Sequence, residues 1–175
     1  MSPALPPATG PGYRIAVVCL GNICRSPVAD VVLNARLAEA GLTGAGLTVT
    51  VDSYGTGGWH VGEPMDRRSA ATLTAAGYDA SRHRAQQFRG AHASAYDLVL
   101  AMDASHHADL GALGVPEERL LMFRAFDPEG EGDVPDPYYG GPQGFDDVLA
   151  MIERTAGALV TELAALAEAS RTQAS

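Results

Sequence analysis

Two cysteines, a glycine, an asparagine, an arginine and a serine stand within CLGNICRS, residues 19–26, and these are the only two cysteines of the chain. A hydrophobic run, Ile15, Ala16, Val17 and Val18, leads in, and a helix-like run begins at Val28. Closed as a loop between a strand and a helix, such a segment turns backbone N–H groups inward. The helix dipole adds partial positive charge there. The result is an anion cradle. Gly21 takes a positive φ without strain, and Asn22 tolerates one better than most residues. Arg25 brings a planar fork that grips two oxygens of a phosphate at once. Ser26, at the helix start, has a hydroxyl to donate to a neighbouring anion. Cys19 lies at the base of the loop in the same positive field, which favours the thiolate, the nucleophilic form. The chemistry on offer is an anion held directly above a nucleophile.

Blander readings of these residues exist. A lone cysteine at a strand end is commonly a small hydrophobe. The C-x₄-C spacing hints at zinc, but a structural site needs four ligands and no histidine lies nearby in sequence. No metal and no other cofactor is therefore expected. A Walker loop is excluded, because Gly21 is not followed by G-K-[ST] at the required spacing.

The elements that must position this loop alternate. Residues 13–20 form a short apolar run suited to a buried strand. Helical spacing follows at Val28, Val31, Val32, Ala35 and Ala38, with Pro27 near the first turn and Gly41 at the stop. Residues 47–53, LTVTVDS, alternate and are β-branched, as a second strand should be. A glycine-rich loop, 54–63, leads to a helix over 66–76 that Gly77 ends. A third strand is expected over 96–102, a helix over 104–113 and a short fourth strand over 120–123. A long loop over 127–144 precedes an amphipathic helix over 145–169. Alternation of this kind implies an α/β fold in three layers, a four-stranded, mostly parallel, twisted sheet with helices on both faces. Ligands of such sheets bind beyond the carboxyl ends of the strands. The cysteine loop, a phosphate-binding loop after the first strand, lies at such an end.

Composition sets the outer limits. The chain has 175 residues, 46% of them apolar, enough for one domain with an ordinary core. The expected division is a disordered N-terminal extension over 1–12, a single domain over 13–169 and a polar tail over 170–175. The net charge of −9 argues against nucleic acid as a partner, since nothing neutralises phosphates over a broad face. All twelve cationic residues are arginine. No apolar run reaches the ~20 residues that span a bilayer, so no membrane association is expected. The start MSPALPPATGPG lacks the basic and apolar segments of a signal peptide. Two cysteines cannot build a secreted disulfide scaffold, so the expected compartment is the cytoplasm.

The string C-L-G-N-I-C-R-S-P at the first strand resembles the phosphate loop of the low-molecular-weight protein tyrosine phosphatases, bacterial type. The C-x₅-R core alone is weak, being shared by several phosphatase folds, but the longer string is specific. The resemblance continues almost to the end of the long last helix. DSYGTGGWH, residues 52–60, is similar to the family's second-strand loop, Met102-Asp103 to its third-strand end, and DPYY, residues 136–139, to its acid loop. It implies a protein tyrosine phosphatase acting on tyrosine-phosphorylated proteins through a covalent cysteinyl-phosphate, as a monomer or weak dimer.

Roles follow from the resemblance residue by residue. Cys19 is the nucleophile, Leu20, Gly21, Asn22, Ile23, Cys24 and Arg25 form the phosphate loop, and Arg25 stabilises transition-state charge. DVPDPYYG offers two acids, Asp133 and Asp136. The family's D-P-Y motif selects Asp136 to protonate the leaving oxygen and then to activate water. Ser26 hydrogen-bonds the departing thiolate. Asn22 holds the strained loop, with Ser53 and His83 supporting it, and Asp103 orients His83, caps the helix over 104–113, or does both. Trp59, Tyr138 and Tyr139 wall a cleft deep enough to admit phosphotyrosine and not shorter phosphoserine. Tyr138 and Tyr139 are also candidates for phosphorylation. Cys24 either traps oxidised Cys19 as a disulfide, making the enzyme redox-sensitive, or merely packs under the loop.

Three rival readings use related or different chemistry. Thioredoxin-coupled arsenate reductases share the fold but need cysteines beyond the loop, and none follows Cys24. Phosphoarginine phosphatases carry threonine where Ile23 stands. A non-catalytic phosphoprotein-binding module would have lost Cys19, Arg25 or Asp136. Three residues depart from the family pattern: Asp30, Tyr54, which threatens the loop's geometry beside Asn22, and Gln86.

Overall fold

The computed structural model describes residues 2–44 and 46–174. Four strands, β1 (Gly12–Cys19), β2 (Thr48–Gly55), β3 (Leu98–Ala101) and β4 (Leu120–Met122), form one parallel sheet in the order β2-β1-β3-β4. Four helices alternate with them: α1 (Arg25–Glu39), α2 (Arg67–Ala75), α3 (Ala104–Ala112) and α4 (Pro142–Ala174).

The period of two along β1 divides the core. Tyr13, Ile15, Val17 and Cys19 face a cluster built with Val28, Val32 and Leu33 of α1, Leu73 of α2 and Ile152, Leu159 and Leu163 of α4. Ala16 and Val18 face the other way, onto Tyr54, Phe88, Tyr96 and Leu110 of α3. A strand buried on both faces reads as a continuous apolar run, which is why residues 13–20 show no alternation in sequence. The strand order also fixes the site. β1 has β2 on one side and β3 on the other, so the carboxyl ends of β1 and β3 diverge into a crevice where the winding changes direction.

Two segments differ from expectation. The lead-in was expected to be disordered. Over residues 2–11 it lacks helix and strand, yet it is tied to the domain. Thr9 donates its N–H and hydroxyl to Asp97 Oδ1 at 3.1 and 2.7 Å, the Tyr13 hydroxyl donates to Pro6 O at 2.8 Å, and Leu5 and Ala8 pack on the core. Asp97 also accepts from Arg14 N–H at 2.8 Å. Proline-rich composition lowered the expected order, but specific partners outweigh it. At the other end the helix runs past its expected end at 169, and α4 continues through residues 170–174. Polar residues there extend an exposed helical end, with Arg171 and Glu168 pairing one turn apart. Met1 and Ser175 of these two segments lie outside the described residues. Helix α4 also starts earlier than position 145, at Pro142, whose fixed φ suits a first helical turn.

Candidate active site

The loop between β1 and α1 is bent by one residue. Asn22 has φ 57°, the only positive φ outside glycine among the described residues, and it is fully buried. Three contacts hold it there. Its amide donates to Ser26 Oγ at 2.8 Å, its Oδ1 accepts from Gln86 N–H at 2.9 Å, and its carbonyl accepts from His83 Nε2 at 2.6 Å. A carbonyl only accepts, so His83 carries its proton on Nε2. Burial lowers the His83 pKa, opposed by this bond, and keeps the ring neutral. The bend turns the backbone outward from its own structure. Among the described residues, the main-chain N–H groups of Gly21 to Arg25 have no protein acceptor, and Cys24 caps α1 without a side-chain hydrogen bond. Unpaired N–H groups at a helix N-terminus attract anions.

Beneath them lies Cys19, 2% exposed. Its Sγ is 3.0 Å from Ser26 Oγ, which also lies 3.1 Å from Tyr54 O. Ser26 has a single proton. With a thiol at Cys19 it goes to Tyr54 O, and with a thiolate it turns to sulfur. Arg25 is buried at the other side of the loop. Its NH1 donates to Asp103 Oδ2 at 2.8 Å and to Val134 O at 3.1 Å, and its NH2 makes only a long 3.5 Å contact with Asp136. One edge of the fork is thus fixed and the other is lightly held. The cleft above has a volume of about 300 Å³ and is lined by Cys19, Ile23, Arg25, Trp59, Asp136 and Tyr138, among others.

The family model of low molecular weight phosphotyrosine protein phosphatases matches residues 14–169. The chain belongs to this family. A low molecular weight protein-tyrosine-phosphatase of Streptomyces coelicolor is 46% identical over 154 residues, covering 85% of this chain and 92% of that one. The crystal structure of a protein tyrosine phosphatase from Entamoeba histolytica, with Hepes in its active site, matches with a TM-score of 0.80 at 30% identity, covering 86% and 96% of the two chains. Vibrio vulnificus Wzb in complex with benzylphosphonate matches with a TM-score of 0.74 at 29% identity, covering 85% and 97%.

Several expectations carried from the phosphatase family need correction. Asp103 does not orient His83. It holds Arg25 and caps α3 by accepting from His106 N–H at 3.0 Å. The Arg25 and His106 donors outweigh burial and keep its carboxyl below the usual range. Ser53 is not a partner of Asn22. Its hydroxyl bonds the Asp30 carboxyl, and its carbonyl accepts from Gln86 Nε2 at 3.0 Å. Gln86, one of the departures from the family pattern, braces Asn22 through its backbone N–H. Tyr54 does not disturb the loop, because its ring turns into the α3-side cluster and stacks edge-on with Phe88 at 5.2 Å. Asp133 accepts from Ala104 N–H at 3.0 Å, a second cap for α3 that leaves Asp136 as the carboxylate in the cleft.

Sequence reasoning missed three other parts of the phosphatase site. Gly55, paired with Cys19 across β1 and β2, sits so close that a Cβ there would lie 2.6 Å from Leu20 O. Past it, Thr56 and Gly57 donate N–H groups to Cys19 O and Leu20 O, both at 2.9 Å. The glycine cluster in the sequence carried that signal. His60 lines the cleft and pairs with Glu63 at 2.6 Å, in a quoted segment that gave it no role. Val134 contributes a backbone carbonyl, for which side-chain type gives no signal. The expected walls stand at the mouth, with Trp59 71% and Tyr139 91% exposed, and Tyr138 and Tyr139 edge-on at 4.9 Å. Cys24 is buried and free, as is Cys19. Burial, aided by the Asp66 charge, pushes its thiol up to about 12.

No helix among the described residues is long and apolar enough to cross a membrane.

Proposed function

We propose that the chain hydrolyses phosphotyrosine in proteins by double displacement at Cys19, without a metal. The observation that carries this reading is the set of unpaired N–H groups from Gly21 to Arg25 above a buried cysteine whose sulfur already contacts a hydroxyl. Three phosphoryl oxygens would take those N–H groups and the free edge of Arg25. The Cys19 thiolate attacks phosphorus, the P–O bond breaks, and Asp136 gives its proton to the leaving phenolate. Water then attacks the cysteinyl-phosphate, Asp136 takes its proton, the S–P bond breaks and inorganic phosphate leaves. Ser26 turns its hydroxyl from Tyr54 O to the departing thiolate.

Depth supports phosphotyrosine. The sulfur lies at the bottom of a cleft whose rim is aromatic, so a flat ring has stacking partners on the way in. The phosphonate bound by the Vibrio vulnificus relative is also benzylic. Ile23 in the loop agrees with an aryl ester rather than a P–N bond. The test is hydrolysis of para-nitrophenyl phosphate in EDTA by the intact chain, Cys19→Ser and Asp136→Asn. Cys19→Ser should be inactive. Asp136→Asn should be slow, and less so with better leaving groups. Full activity in Cys19→Ser would overturn the mechanism.

The same reading extends to oxidation. Cys24 is adjacent in the loop, and its protonated thiol would resolve a Cys19 sulfenic acid slowly at neutral pH and faster as pH rises. Peroxide inactivation that dithiothreitol fails to reverse at any pH would count against this guard.

A further inference from the structure

His106 stands on the first turn of α3 and is 3% exposed. Its ring Nδ1 is the one buried side-chain nitrogen or oxygen without a hydrogen-bond partner among the described residues. That atom is not remote from an acceptor. Asp103 Oδ1 lies 3.1 Å away, at hydrogen-bond distance but off the line a bond needs. The same Oδ1 accepts the His106 backbone N–H, and the other oxygen of Asp103 holds Arg25 NH1 at 2.8 Å. One carboxylate therefore joins the imidazole to the arginine of the cradle. Burial lowers its pKa, against the pull of Asp103, and a neutral ring protonated on Nδ1 carries a donor within reach of that carboxylate but not yet turned toward it. A buried donor left unmade is costly, and such groups gather where a working state completes them.

We infer that His106 is a positioning residue whose bond to Asp103 closes when phosphate occupies the cradle. The inference rests on the reading of Arg25 as a phosphate ligand. Phosphate oxygens draw the lightly held edge of Arg25 away from Asp136. The guanidinium pivots on its 2.8 Å bond to Asp103, and the carboxylate turns with it. The distance to Nδ1 is already right, so a change of angle alone makes the bond. An interaction formed only with the anion bound adds to affinity for phosphate and for the transition state, not to the free protein.

The experiment compares the full chain with His106→Leu, which keeps bulk and removes the donor, and His106→Asn, whose amide N–H stands about where Nδ1 stands. Inorganic phosphate is the probe, read by calorimetric binding and by competitive inhibition of para-nitrophenyl phosphate hydrolysis. His106→Leu should weaken phosphate roughly fivefold to twentyfold and lower kcat/KM by a similar factor. Its melting temperature without phosphate should be unchanged or higher. His106→Asn should restore both constants to within about twofold. Equal phosphate affinity in His106→Leu and the intact chain overturns the inference, and so does equal loss in the Leu and Asn variants. Should His106→Leu not fold, His106→Ser, too short to reach Asp103, replaces it with the same two outcomes. An intact chain that neither binds phosphate nor hydrolyses the ester sinks the phosphatase mechanism itself. Normal activity with an indifferent His106 sinks only this assignment.

Discussion

The cradle and the acid loop meet across the same cleft but are held in opposite ways. The cradle is buried and cross-braced. Asn22 alone has three partners from two other segments, and the backbone of Thr56 and Gly57 is bonded to its base. The acid loop is anchored at its ends and open between them. Val134 is fixed by its N–H to Met102 O at 2.7 Å and by its carbonyl to Arg25, while Asp136 and Tyr138 hold mainly each other and Arg68. A site that must bind a phosphoryl group in one geometry needs the first kind of support. A group that must first give a proton to a phenolate and then take one from water tolerates the second.

That contrast breaks most easily at Gly55. Gly55→Ala places a methyl against Leu20 O and Asn22 N, both backbone atoms that cannot step aside. The cradle must move, and a misplacement of about 1 Å costs about 100-fold in rate. The measurement is kcat/KM for para-nitrophenyl phosphate. An Ala variant within threefold of the intact chain would show that the cradle is less rigid than its bracing implies.

The anchor of the acid loop is Asp127, buried where the loop leaves the short 3-10 turn Phe123–Phe126. It takes both ends of Arg154 on α4, at 2.7 and 2.8 Å, and Arg124 at 2.9 Å. These donors hold its carboxyl far below the usual range. Asp127→Asn should cost about 1–3 kcal/mol at neutral pH, because Arg124 and Arg154 lose a buried carboxylate partner while Arg154 keeps only Glu129, at 2.9 Å. The sign with pH follows from the depressed pKa. The contribution is present above the unfolded value near 3.8 and is lost as pH falls through the folded one. Chemical denaturation at pH 7 and pH 3 should therefore show the variant's deficit shrinking in acid.

Legibility in the sequence follows the same divide. CLGNICRSP is contiguous, and each of its residue types has a local reason to be there, so the cradle could be read without coordinates. The alternation of strands and helices was readable because apolar periods are local too. The bracing was not. Gln86 N–H, Val134 O and the turn of Asp103 toward Arg25 are contacts between segments far apart in the chain, and two of the three use backbone atoms that carry no residue identity. Asp103 was half legible, since an N-cap is a local property and its ionic partner is not.

Arg68 tests the open side at a smaller scale. It reaches from α2 to Tyr138 O at 3.0 Å and lies 5.2 Å from the Tyr138 ring and 4.6 Å from the Phe145 ring. It is also exposed and paired with Asp66. Exposed contacts of this kind are individually weak. Arg68→Ala should lower kcat roughly twofold to fivefold while leaving phosphate inhibition unchanged. A parallel loss of phosphate affinity would mean that the acid loop and the cradle are mechanically one body.

Asp30 supplies the sharpest contrast with Asp127. It lies on α1, bonded to Ser53 and to Asn34 Nδ2 at 2.6 Å. Burial raises its pKa to about 6, only partly offset by those bonds, with Asp52 adding to the rise. A carboxyl raised above its unfolded value favours the folded state while protonated. Its penalty grows as pH climbs from about 4 through about 6 and is complete above that. Asp30→Asn keeps an acceptor for Asn34 and removes the buried charge. It should stabilise the protein by about 1–2 kcal/mol at pH 8 and by almost nothing at pH 4. Asp127→Asn should do the reverse in sign, with a deficit that is nearly constant from pH 4 to pH 8 and fades only in stronger acid. Denaturation midpoints of both variants, taken at pH 4, 6 and 8, would separate the two halves of the site by their response to protons alone. Parallel curves for the two would mean that the carboxylates on α1 and at the base of the acid loop titrate as one network.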